Sequence, residues 1–109
     1  MRTNELYGFR TTNVDDVSQR LTSYLQVVFQ AHDSVYRGGK YLEGENASGH
    51  YFRVQKNFGE LGNEWAEEAF SEYPVLVYVS IETASPDLEA ILSCGNVGGK
   101  LLRRQTEPL

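Results

Sequence analysis

Val75-Leu76-Val77-Tyr78-Val79 is the longest unbroken apolar run in the chain, and it dictates most of what the chain can become. Five consecutive apolar residues, three of them β-branched, suit a strand buried on both faces and are far too few to cross a bilayer. A domain built round such a strand needs further strands on either side and helices to cover it. At 109 residues the chain is read as one domain spanning 1–109, large enough to bury a core.

The flanking sequence supplies those parts. Leu6–Arg10 alternates as a first strand. Thr11-Thr12-Asn13 offers side-chain acceptors to a helix start, with Asp15 and Asp16 in the first turn. Val14, Val17, Leu21, Tyr24, Leu25 and Val28 recur at helical spacing, and the helix is expected to end near Gln26. Val27–Ala31 and Tyr36–Glu43 read as strands, with a turn at Asp33-Ser34 and an irregularity at Gly38-Gly39. Gly44–Gly49 is a reversal, and His50–Lys56 a fourth strand. Beyond the central run, Ser85-Pro86-Asp87 opens a short helix carrying Leu88, Ile91 and Leu92, closed by Gly95-Asn96. Leu101–Gln105 forms the last strand, followed by a fraying tail from Thr106. The expected fold class is α+β: a single, mostly antiparallel sheet of about five to six strands covered by two helices, in the order β-α-β-β-β-(acidic insert)-β-α-β.

Glu60–Tyr73 carries the charge imbalance of the whole chain. It holds five carboxylates, no lysine or arginine, and the aromatics Trp65, Phe70 and Tyr73. With ten basic and fifteen acidic side chains the net charge is −5; without this segment ten acidic residues balance ten basic ones. Such a segment suits a strongly basic partner, with Glu60, Glu64, Glu67, Glu68 and Glu72 meeting cations and Trp65, Phe70 and Tyr73 supplying anchors where exposed. Locally it reads as a loop with one helical turn. Trp65 either staples that loop to the domain or docks into a partner, and the sequence leaves both open.

Motifs for chemistry are sparse. His32, His50 and Lys40 could cleave a phosphodiester only if the fold gathered them. No zinc or calcium pattern is present, and Gly95–Lys100 lacks the Ser/Thr that completes a phosphate loop. No catalytic residue, metal or cofactor is expected. The acidic balance argues against direct nucleic-acid binding, and Arg103-Arg104 suits an ion-paired strand edge. The lone Cys94 fits a reducing compartment, and Met1–Glu5 has no secretion-signal core, so a cytoplasmic location is expected.

Tyr36-Arg37-Gly38-Gly39-Lys40-Tyr41, Glu72–Val79 and Leu101-Leu102-Arg103-Arg104 together give the chain a style that resembles small bacterial immunity proteins of contact-dependent growth inhibition and other polymorphic toxin systems. The resemblance implies a non-enzymatic inhibitor that binds a cognate toxin domain, often a basic nuclease, and covers its active site. The strand–helix–strand–strand–strand order up to Lys56 is also similar to one module of the vicinal oxygen chelate fold. That likeness implies a dimeric small-molecule-binding protein or enzyme, with a metal and a cleft lined by His32, His50 and tyrosines.

Overall fold

The computed structural model describes residues 2–34, 39–59, 64–82 and 86–108. The elements run β1 (Arg2–Phe9), α1 (Val14–Leu25), β2 (Val28–Ser34), β3 (Gly39–Glu45), β4 (Tyr51–Lys56), β5 (Phe58–Gly59), β6 (Glu64–Trp65), a 3-10 turn (Glu68–Phe70), β7 (Val75–Ile81), α2 (Pro86–Leu92) and β8 (Lys100–Glu107). Six strands form one antiparallel sheet in the order β2-β3-β4-β7-β1-β8, and β5-β6 is a separate two-stranded ribbon. The fold is thus α+β, with the expected order of elements.

β7 lies between β4 and β1, as its apolar run requires. Val75, Val77, Val79 and Ile81 face α1 and α2, where they pack with Val17, Leu21, Leu88 and Leu92; Tyr7, Phe9, Phe52 and Val54 complete that core. Leu76 faces the opposite way and joins Leu6 and Tyr73 in a second, smaller cluster. The acidic insert therefore covers part of the face that the helices leave open.

The α1 boundaries follow local chemistry. The Asn13 side chain accepts from the Asp16 amide at 3.1 Å, and Gln26 turns left-handed at φ 57° to end the helix. Arg20 pairs with Asp16 one turn away and donates to the Val97 carbonyl at 3.0 Å, fastening α1 to the segment before β8.

Several strand ends differ from expectation. Asp33 and Ser34 are not a turn: they continue β2, opposite Lys40 and Gly39. Gly44 and Glu45 likewise stay in β3, and the reversal is confined to 46–50, where the Asn46 carboxamide accepts from the amides of Ser48 and His50. In both places an unbroken ladder with a neighbouring strand overrides residues of low strand propensity. β1 starts earlier than Leu6 and β8 runs past Gln105, because Arg2 and Thr3 pair with Glu107 and Thr106. The proposed start of a strand at Tyr36, with Arg37 and Gly38, lies outside the described residues, as does Ser85 as a helix cap.

Candidate functional site

The insert is built from Asn57 outward. Asn57 is fully buried, and its carboxamide donates to the carbonyls of Phe70 at 2.9 Å, Tyr73 at 3.0 Å and Glu67 at 3.3 Å, while accepting from the Glu67 amide at 2.8 Å. Its own amide donates to Pro74 O at 2.8 Å, and its carbonyl accepts from the Ala66 amide at 2.6 Å. One side chain thus ties together residues 67–73, whose own backbone closes local turns at Phe70, Ser71 and Tyr73 but forms no strand ladder. Pro74, which lacks an N–H, stands at the exit where the chain enters β7.

Two aromatics seat the segment on the sheet. Tyr73 is only 3% exposed. Its ring lies against Gly8, where an added Cβ would sit 2.6 Å from Tyr73 Cγ, so a residue without a side chain is what lets the ring descend. Phe70, half-buried, packs on the same cluster with Tyr78 and Leu102. The Arg10 guanidinium lies 5.0 Å from the Tyr73 ring centroid and 3.4 Å from the Glu72 carboxylate.

Glu67 is turned inward as well. Arg103 reaches both of its oxygens, at 2.9 and 3.3 Å, and the Tyr78 hydroxyl donates to Oε2 at 2.7 Å. Burial pushes the Glu67 carboxyl upward, but those hydrogen bonds and the guanidinium charge outweigh it, and the net shift is below the ordinary value of 4.5. Tyr78 moves the other way, its phenol pushed well above 10 by burial and by the Glu67 carboxylate. Arg53 stacks over the far side of this network, 4.3 Å from the Tyr78 ring centroid.

The Glu67 charge should therefore show in the acid limb of stability. A carboxylate held below its unfolded value stabilises the fold above about pH 4.5, and that contribution disappears as pH falls through the folded value. Glu67→Gln keeps the hydrogen-bonding shape and removes the charge. It is expected to cost about 1 kcal/mol at pH 7 in urea unfolding, with the gap to the parent closing below pH 4.5. A gap constant from pH 7 to pH 3 would mean that the carboxylate charge does nothing here.

Of the residues singled out from the sequence, four are exposed, and one of these, Glu72, is paired with Arg10. Glu64 and Glu68 are exposed and make no ion pair among the described residues. Trp65 is 42% exposed and leans edge-on against Phe58, with ring centroids 5.0 Å apart, so it is both attached and presented. Glu60 lies outside the described residues. Tyr73 cannot act as a surface anchor, because its ring fills the space above Gly8; Phe70 gives most of its ring to the Leu6 cluster. Glu67 and Glu72 are matched to Arg103 and Arg10. The expectation of five outward carboxylates and three anchors thus contracts to Glu64, Trp65 and Glu68, the exposed residues of the described insert that were singled out and have no ion pair among the described residues.

Arg10 and Arg103 lie 62 and 36 positions from the carboxylates they meet, and Tyr78 belongs to the central strand, so no local pattern marks them as partners of the insert. Asn57 was visible only as a boundary residue; its position before a glycine and an acidic run is the one local signal it offers.

The alternative chemistry does not assemble. His32 bonds Glu43 at 3.1 Å and stacks on Tyr41, whereas Lys40, opposite Asp33, lies on the other face of the sheet. His50 sits beyond the β3–β4 turn against Asn46. His32 and His50 are separated by at least four ladder steps, roughly 13 Å. No group of three or more metal-ligating side chains occurs among the described residues. The strand–helix–strand–strand–strand module does not form a continuous sheet either, because β7 separates β4 from β1. A cleft of about 450 Å³ beside the start of α1 mixes Lys40 and Lys56 with Asp15, and none of the described insert residues lines it. No helix among the described residues is long and apolar enough to cross a membrane.

Compared with protein-family models the chain matches none, and no curated protein matches it.

Proposed function

We propose that the chain is a non-catalytic binding protein that docks on a basic partner through Glu64, Trp65 and Glu68, in the manner of an immunity protein covering the active site of a toxin domain. One observation carries this reading. The insert is pinned from beneath by Asn57, Phe70, Tyr73 and Glu67, and β6 is paired to β5, so the backbone that carries its outward residues is placed by contacts within the chain. Preorganisation of this kind lowers the ordering cost of association. An exposed tryptophan between two carboxylates pairs a large desolvable contact with charges that steer a cationic surface. Inhibition then needs only coverage, with no bond made or broken. The partner class that fits is a toxin domain, most naturally a nuclease whose lysines and arginines grip phosphates.

The test is co-expression with the toxin domain that this reading expects in a gene neighbouring this chain's; the lack of any such gene would count against it. The parent chain is expected to restore growth, and Glu64→Gln/Trp65→Ala/Glu68→Gln to lose that protection while keeping the parent's circular dichroism spectrum and a cooperative urea transition. The association rate at low salt should fall about tenfold in the variant. No protection by the parent, or full protection by the triple variant, would overturn the reading.

A further inference from the structure

The two edges of the main sheet are unlike. β8 carries Lys100, Arg103, Arg104 and Glu107, and its pairing with β1 shifts register between Leu6 and Tyr7. Charges and an irregular ladder are what keep an exposed edge from recruiting another strand. β2 has neither. It runs from Val28 to Ser34 in unbroken register with β3, contains no lysine, arginine, proline or glycine, and has a single formal charge at Asp33. Val28 on this strand is 74% exposed, more than any other large apolar residue described. β3 is its sole ladder partner among the described strands, so its outer N–H and C=O groups face away from the sheet.

We propose that β2 pairs antiparallel with β2 of a second copy, joining two six-stranded sheets across a two-fold axis at Gln30. This inference is independent of the toxin-binding reading. A two-fold contact requires a strand complementary to itself, and β2 meets that requirement. With Gln30 on the axis, Phe29 falls opposite Ala31 of the second copy on the helix-bearing side of the sheet. Val28 falls opposite His32 of the second copy on the other side, which covers the exposed valine. The two Asp33 residues end six ladder steps apart, roughly 20 Å, beyond the Debye length at physiological salt, so no like charges oppose each other. Pairing of β2 with β8 of another copy would instead make a head-to-tail contact that does not close, against an edge that carries Arg103 and Arg104.

Sedimentation equilibrium of the whole chain tests this. A dimer is expected at tens of micromolar, in a monomer–dimer equilibrium without larger species. Val28→Lys/Gln30→Lys places like charges against each other at the axis and leaves the ladder to β3 intact; both side chains are exposed, so the fold should persist by circular dichroism. The dissociation constant is expected to rise at least about tenfold. Amide hydrogen exchange should gain protection in β2 with rising concentration and not in β8. A parent chain that stays monomeric at about 1 mM, a variant that dimerises as the parent does, or concentration-dependent protection in β8 instead of β2 would each overturn the proposal.

Discussion

Asn57→Ala is expected to destabilise the domain by about 3 kcal/mol in urea unfolding at neutral pH, more than any other single change in the insert. Four side-chain hydrogen bonds end on this carboxamide; its removal strands the Tyr73 carbonyl and the Glu67 amide, and takes one of two donors from the carbonyls of Glu67 and Phe70, which keep the amides of Phe70 and Tyr73. A buried polar group stranded in this way forfeits more than the net value of the bond, because water cannot replace what is lost. Asn57→Asp should be at least as damaging. It preserves the acceptor for the Glu67 amide but sets a carboxylate against three carbonyl oxygens inside the protein. Both variants should also loosen the segment from 58 to 73, seen as faster hydrogen exchange there than in β1 and β7. A loss below about 1 kcal/mol for the alanine variant would mean that Tyr73, Phe70 and the Glu67 network with Arg103 and Tyr78 hold the insert without the carboxamide.

Arg104→Met is expected to cost about 3 kcal/mol, and the second substitution Glu5→Gln to recover most of it. The Glu5 side chain is 4% exposed and faces the helix side of the sheet, where it receives the Tyr7 hydroxyl at 2.9 Å and Arg104 Nε at 2.6 Å. Arg104 also bridges to Glu89 on α2, so one guanidinium fastens the edge strand, the sheet and the helix together. The two carboxylates raise the Arg104 guanidinium above its ordinary value, and burial with the Glu5 carboxylate raises the Tyr7 phenol. Removing the arginine strands a carboxylate in the core, whereas neutralising Glu5 removes the reason for the arginine. A double variant no more stable than Arg104→Met would place the loss in packing along β8 rather than in the stranded charge.

The sequence carried the architecture further than it carried the site, and particular residues explain the difference. The run Val75–Val79 and the spacing of Val17 and Leu21 report burial directly, since each residue's environment follows from its neighbours in an element of fixed period. Asn13 and Gln26 bound α1 through contacts made within a few residues, which are equally legible. The insert offered no such regularity. Glu67 and Glu68 are chemically identical and adjacent, yet one is clamped by Arg103 and the other faces solvent. That outcome was set by residues more than thirty positions away. The same holds for Tyr73, whose burial depends on the absence of a side chain at Gly8. Charge totals revealed where acidity concentrates; only the packing decides which carboxylates remain to meet a partner.

The position of β1 in the sheet sets the timetable of assembly. All eight of its residues find their partners in β7 or β8, at the far end of the chain, and not in the strands that follow it directly. During synthesis, residues 14–56 can make a helix and a three-stranded meander soon after they emerge, while the first strand waits for about the last third of the chain to appear. Joining segments so distant in sequence makes folding slow compared with helical domains of similar size. Until it completes, Leu6, Tyr7 and Phe9 remain unsheltered, apolar side chains of the kind that chaperones cover on a translating ribosome.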